Sequence, residues 1–190
     1  MTAANFDLKS KLEERGALLG GHFRLSSGRH SDRFVQKFRI LEDPELVEPA
    51  ARAIADKFRP ARPSVVVSAA VGGIILGYEV ARQLGIKAIF IEKENGMPVL
   101  RRSFALSASD RALIVEDVVT TGLSVREVMA VVSHSGASIV GIGILVARNE
   151  EDFGVPTYTL LHLPIHSYDP QECPQCRSGE PVTDPGSRRS

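Results

Sequence analysis

Between Val65 and Val146 the chain alternates short apolar runs with longer amphipathic stretches. Val65-Val66-Val67, Ile86 to Ile91, Leu113-Ile114-Val115 and Ile139 to Val146 are rich in β-branched residues, and each predicts a strand. Helical spacing fills the gaps at Ile74 to Leu84 and Val125 to Ser133. Apolar strands separated by helices predict an α/β fold with a central parallel sheet flanked by helices. Sheets of this kind bind ligands beyond the carboxyl ends of their strands, so the residues after each run are where chemistry is to be sought.

Upstream, Leu8, Leu12, Leu18 and Leu19 predict a helix over Phe6 to Leu19 that stops at Gly20-Gly21. His22 to Leu25 and Arg33 to Leu41 predict two short strands around a turn at Ser26-Ser27-Gly28. Leu46, Val47, Ala50, Ala53, Ile54 and Phe58 predict a helix over Glu45 to Phe58, with Pro49 in or near its first turn. After Glu150 one more strand is expected at Tyr158 to Leu163, and Pro, Gly and Ser in 171–190 predict a loosely held tail.

A chain of 190 residues fits one domain with room for a modest subdomain. Its 23 basic and 23 acidic residues cancel, so no overall field draws it to nucleic acid or an anionic membrane, and any anion site must be local. The start, Met1-Thr2-Ala3-Ala4-Asn5, lacks a basic-then-apolar leader, and no apolar run approaches the roughly 20 residues that span a bilayer. The expectation is a cytoplasmic protein without membrane or nucleic-acid partners. The two cysteines, Cys173 and Cys176, are too few for a secreted disulfide framework. Their spacing suits zinc, but one pair leaves a four-ligand site incomplete. His166 is the nearest candidate third ligand in sequence, and the expectation is an unstructured turn.

The segment from Leu113 to Ser124 carries the strongest chemical signal: a buried strand, two acids, then a hydroxyl and glycine turn into a helix. Thr120, Thr121 and Ser124 supply hydroxyl donors, Gly122 lets the backbone come close, and the helix N-terminus contributes about half a positive charge, so a phosphate can be held without lysine. Glu116 and Asp117 can accept hydrogen bonds from vicinal sugar hydroxyls. Helix capping accounts for one or two of these residues but not for the ordered set. No Gly-Lys-Ser/Thr follows a strand and no dinucleotide fingerprint is present, which excludes those nucleotide loops. Ser68-Ala69-Ala70-Val71-Gly72-Gly73 is a second place where backbone amides can meet an anion, although small residues also serve close strand-to-helix packing.

The Glu116–Ser124 stretch resembles the phosphoribosyl-pyrophosphate signature of type I phosphoribosyltransferases. The resemblance implies a core of about 44–147 under a small hood formed from about 1–40 and part of 148–170. It implies that Glu116 and Asp117 hold the ribose and, with Val118, Val119, Thr120, Thr121, Gly122, Leu123 and Ser124, form the donor site. Ala70, Val71, Gly72 and Gly73 become the pyrophosphate loop, and the charged loop from Glu92 to Arg102 becomes a mobile loop whose Lys93, Arg101 and Arg102 reach pyrophosphate. In this loop Glu92 stands where an arginine is common, and the usual histidine is absent.

Gly21 to Gln36 is similar to the hood of the orotate enzymes, which implies a base site at Ser26, Ser27, Gly28 and Phe34, with Thr120 and, against the carboxylate, Arg148. Some relatives carry lysine where Ser26 stands. The resemblance runs on through Pro164 to Pro170 and the Cys-Pro-Gln-Cys segment. It implies a magnesium-dependent pentosyltransferase of pyrimidine synthesis, with catalytic Lys93, Glu116 and Asp117, the metal held mainly by substrate, and a homodimer sharing its mobile loops. Transfer to another nucleobase, or a regulator that senses the donor without turnover, stays open at this point.

Overall fold

A computed structural model describes residues 7–25 and 27–185. Six strands form the main sheet: β3 (Val65–Ala69), β4 (Lys87–Glu94), β5 (Met97–Leu100), β6 (Arg111–Val119), β7 (Ser138–Ala147) and β8 (Thr157–His162). Their spatial order is β5-β4-β3-β6-β7-β8, parallel throughout except for the antiparallel edge strand β5. Every strand expected from the apolar runs is present.

Side chains alternate between the two faces of this sheet. Val66, Leu113, Val115 and Leu145 pack with helices α3 (Pro44–Phe58) and α4 (Gly72–Leu84). Val65, Val67, Ile114, Ile142 and Ile144 pack with Val125, Val128 and Val132 of α5 (Leu123–His134). Each fully buried aliphatic side chain contributes about 1.5–3 kcal/mol, which makes these two layers the main source of stability. The chain moves outward from β3 to β4 and β5, then returns to the other side of β3 to make β6. α4 leaves β3 toward one face and α5 leaves β6 toward the other, so a crevice opens at their shared carboxyl end.

Helix α3 starts at Pro44, capped by Asp43, whose carboxylate accepts from Glu45 N–H. The helix thus starts one residue earlier than expected, with Pro44 at its start and Pro49 inside its second turn. Among the described residues no helix is long and apolar enough to cross a membrane.

The N-terminal expectations need correction. The first helix, α1, spans only Leu8–Glu14, and Phe6 lies outside the described residues. Leu18 and Leu19 instead open β1 (Leu18–Arg24), because they pair with Val35 and Phe34 of β2 (His30–Val35). Strand pairing there overrides helical spacing. The second expected strand ends at Val35, and Phe38–Leu41 forms a helical turn, α2.

The β1–β2 hairpin is a separate small sheet whose edges are both covered. His30 exchanges backbone hydrogen bonds with Tyr168 on one side, and Thr183 bonds to His22 and Arg24 on the other. A lone two-stranded hairpin is marginal in water, so these flanking segments help to hold it. The expectation of a loose tail over 171–190 thus fails for its described part. Cys173 is fully buried, Pro174–Arg177 forms a helical turn, α6, and Arg24 forms an ion pair with Asp184. The polar composition concealed backbone pairing, which does not depend on side-chain type. The remaining tail residues, 186–190, lie outside the described part.

The loop expected from Glu92 to Arg102 is largely a hairpin. β4 continues to Glu94, Asn95 and Gly96 turn with positive φ, and β5 pairs back along it. The Asn-Gly pair is the local cause, since both residues tolerate the left-handed conformation that a tight hairpin needs.

Candidate active site

Glu116 and Asp117, expected just beyond a strand, lie within the last part of β6 and are buried, with 5% and 1% of their surfaces exposed. Their charges are met locally. Lys37, which follows β2, places its Nζ 3.3 Å from Asp117 Oδ1 and 2.9 Å from Oδ2. Val118 N–H donates to Asp117 Oδ1 at 2.6 Å, and Asp117 N–H donates to Glu116 Oε1 at 3.1 Å. Asp117 Oδ2 has no hydrogen bond of good geometry among the described residues despite its closeness to Lys37. It is an acceptor held at the crevice.

Burial, followed by the adjoining Asp117 carboxylate, pushes the Glu116 carboxyl up to about 7, with a Ser124 hydrogen bond opposing the rise. A carboxyl raised in the folded state binds more protons there than in the unfolded chain between about pH 4.5 and 7, so its contribution to stability falls as pH rises through that window. The Glu116→Gln variant, which carries no such charge, should gain thermal midpoint over wild type at about pH 8 and lose that advantage at about pH 5. Parallel melts at the two pH values measure this; an equal gap at both would show that Glu116 is not the group responsible.

Gly122 precedes α5 with φ 70°, a conformation that favours glycine, and no side chain caps the helix. Thr120 and Thr121 are exposed beside it. Helix α4 likewise starts after Val71 without a side-chain cap, and the Ala70–Val71 peptide is cis. By contrast, α1 and α3 are capped by Asp7 and Asp43. Among the described helices longer than four residues, the two that meet the crevice are those whose first turns no side chain caps, which leaves their amides available to an anion. The capping explanation of the Thr120–Ser124 segment fails on this geometry.

The two loops are built against each other. A Cβ on Gly72 would lie 1.7 Å from Asp117 Oδ2 and 2.8 Å from Lys37 Nζ, and one on Gly73 would lie 3.3 Å from Glu116 Oε1. Glycine at 72 is a requirement of this approach. Strand β7 delivers Arg148 beside the same loop: its N–H donates to Val119 O at 2.8 Å, and Asn149 Nδ2 donates to Thr120 O at 2.8 Å. Arg148 is half-buried, its Nε has no partner among the described residues, and burial pulls its pKa below the usual guanidinium value. Such a group calls for an anionic partner.

The remaining expected site residues are more scattered. Ser27 and Gly28 form an exposed turn closed by Gly28 N–H donating to Leu25 O, while Ser26 lies outside the described residues. Phe34 is half-buried with its ring 5.9 Å from that of Phe23. The three expected pyrophosphate cations are engaged with acids: Lys93 with Glu127 of α5 at 2.8 Å, Arg102 with both oxygens of Glu92, and Arg101 with Glu94 at 3.4 Å. Sequence reasoning missed Lys37. A lone lysine after a short strand carries no pattern, and only the fold brings it across to Asp117.

A buried acid pair thus stands between two helix N-termini that no side chain caps, at the carboxyl end of a parallel sheet. A family model described as the phosphoribosyl transferase domain matches residues 39–158, and the chain belongs to that family. It is 48% identical over 179 residues to the orotate phosphoribosyltransferase of Pelotomaculum thermopropionicum, covering 93% of this chain and 94% of the relative. The orotate phosphoribosyltransferase of Caldanaerobacter subterraneus subsp. tengcongensis is 47% identical over 171 residues, or 89% of this chain and 90% of the relative. Within the family the chain therefore falls among the orotate phosphoribosyltransferases. The crystal structure of orotate phosphoribosyltransferase from Aeropyrum pernix superimposes with a TM-score of 0.71 at 27% identity, over 82% of this chain and 93% of that one. An adenine phosphoribosyltransferase from Rhodothermus marinus shares the fold, with a TM-score of 0.66 at 23% identity over 84% of this chain and 100% of that one.

Proposed function

We propose that the chain transfers the phosphoribosyl group of 5-phosphoribosyl 1-pyrophosphate to orotate, giving orotidine 5-phosphate and pyrophosphate. One observation carries this reading: two buried carboxylates meet two uncapped helix N-termini where the strand order reverses. The α5 terminus, with Thr120, Thr121 and Ser124, takes the 5-phosphate. Glu116 and Asp117 take the ribose hydroxyls, and the 70–73 loop takes the pyrophosphate.

Bond cleavage at the anomeric carbon leaves positive charge on the ribose and negative charge on the departing pyrophosphate. The carboxylates favour the first and the loop amides the second, from fixed positions that need no reorganisation. Glu116 is best suited to this role when ionised, above its raised pKa. The Arg148 guanidinium holds the orotate carboxylate, and the Ser27–Gly28 turn supports the base edge. Lys93, Arg101 and Arg102 reach the pyrophosphate by exchanging their present acidic partners for it, an exchange that exposed ion pairs make cheaply. A neighbouring subunit's hairpin is a suitable source of that contact in a homodimer.

Magnesium fits this site as an ion carried by the donor. Asp117 is already engaged by Lys37 and Glu116 by Ser124, so the donor's pyrophosphate and ribose oxygens are its better ligands. Bound there, it supplies Lewis-acid stabilisation of the leaving group.

Orotate consumption, followed by ultraviolet absorbance, tests the assignment. Loss of orotate is expected only when donor and magnesium are both present. Turnover of adenine, hypoxanthine or uracil with none of orotate would overturn the acceptor, and donor binding without any turnover would overturn the enzyme.

A further inference from the structure

Four potential metal ligands meet in the hood: His22 of β1, His30 of β2, and Cys173 and Cys176 at either end of the Cys-Pro-Gln-Cys segment. They come from three elements, and their ligand atoms all lie within 4.8 Å of one another. His22 Nε2 and His30 Nδ1 are 2.9 Å apart. Cys173 Sγ is 3.4 Å from His22 Nε2, and Cys176 Sγ is 3.6 Å from His22 Nε2 and 3.2 Å from His30 Nδ1. A tetrahedral zinc ion, with bonds of about 2.3 Å to sulfur and about 2.0 Å to nitrogen, sets its ligand atoms about 3.3–3.8 Å apart. The four separations given lie within about half an ångström of those values, and with the widest pair no more than 4.8 Å apart, shifts of up to about an ångström convert this cluster into a closed coordination shell.

We infer that His22, His30, Cys173 and Cys176 form a structural zinc site that fastens residues 173–184 to the β1–β2 hairpin. The ligand set is the argument. Two thiolates offset the charge of a divalent ion, and two imidazoles complete four soft or borderline ligands, the combination that suits zinc over magnesium or calcium. His22, His30 and Cys173 are 2%, 7% and 0% exposed, and Cys176 closes the solvent edge. His22 is also oriented from behind: Glu180 O lies 2.7 Å from its Nδ1 and takes that proton, which leaves the Nε2 lone pair facing the cluster. The carbonyl that orients the ring belongs to the same segment that supplies both cysteines.

Neither the single-pair limitation nor the candidate role of His166 applies. The partners lie roughly 150 residues upstream in the same chain, as the His22–Cys173 separation of 151 shows. His166 is exposed and offers its backbone carbonyl to Ser31. The cluster lies in the hood, apart from Glu116 and Asp117 in β6, so its metal is a second one, independent of any ion that accompanies a substrate.

The test uses the full chain purified under reducing conditions without chelator. Elemental analysis should find one zinc per chain. Cobalt exchanged into the site should give intense visible bands of tetrahedral cobalt together with thiolate-to-metal charge transfer in the near ultraviolet. Cys176→Ser, at the exposed edge and least disruptive to folding, should bind zinc at least about tenfold more weakly and lose part of the charge-transfer band. Less than a fifth of an equivalent of metal after exposure to zinc would overturn the proposal. A Cys173–Cys176 disulfide in protein kept reducing, or a cobalt spectrum without thiolate charge transfer, would do the same.

Discussion

Replacing Glu116 by glutamine and Asp117 by asparagine together lowers kcat by about 10²–10³-fold while the fold persists, a size typical of losing preorganised charge at a reacting centre. The two losses differ in their structural cost. Glu116→Gln removes a buried charge with a raised pKa and relieves repulsion from its neighbour. Asp117→Asn leaves Lys37 without its anion, but Lys37 has 36% of its side chain exposed and can swing its ammonium toward water. The double variant should therefore not lose its fold, and circular dichroism and the thermal midpoint check that it keeps it. Steady-state kinetics with both substrates varied then isolate the chemical effect. Turnover equal to wild type in a folded double variant would sink the role given to both carboxylates.

Arg148→Ala raises the KM for orotate about 100-fold and leaves the KM for donor nearly unchanged. The magnitude corresponds to losing a charge-assisted bidentate pair, each such hydrogen bond being worth about 1.5–3 kcal/mol. The half-buried guanidinium, with an Nε that meets no partner among the described residues, motivates the choice. Arg148→Lys should recover little, since an ammonium on a flexible stem does not reproduce the planar fork. Equal effects on both substrates would instead place Arg148 among the supports of the phosphate loop, to which its own N–H is bonded.

The central sheet was legible because its signal is periodic. Val65-Val66-Val67 and Leu113-Ile114-Val115 are short, rich in β-branched residues and apolar at consecutive positions, as strands buried on both faces are. The acid pair and the turn that follows it were legible because Glu116 to Ser124 are contiguous in sequence. What escaped depends on contacts far apart in sequence. Lys37 meets Asp117 80 residues away, and the hairpin turned Leu18 and Leu19 from helix to strand through pairing with Val35 and Phe34. The docking of 173–184 was hidden for the same reason: Thr183 engages β1 through its backbone, and no side-chain pattern announces that. The sequence reading aims Lys93, Arg101 and Arg102 at pyrophosphate, while the structure pairs them with Glu127, Glu94 and Glu92, partners that could be matched to them only in three dimensions.

The β1–β2 sheet draws on both halves of the chain, with Tyr168 and Thr183 lying along its two edges. A polypeptide made from its N-terminus completes β8 at His162 before the second of these flanking segments emerges. The crevice between β3, β6 and β7 can thus form on the ribosome while the β1–β2 hairpin still lacks a flanking segment, so the large sheet is in place before the small one is fastened along both edges.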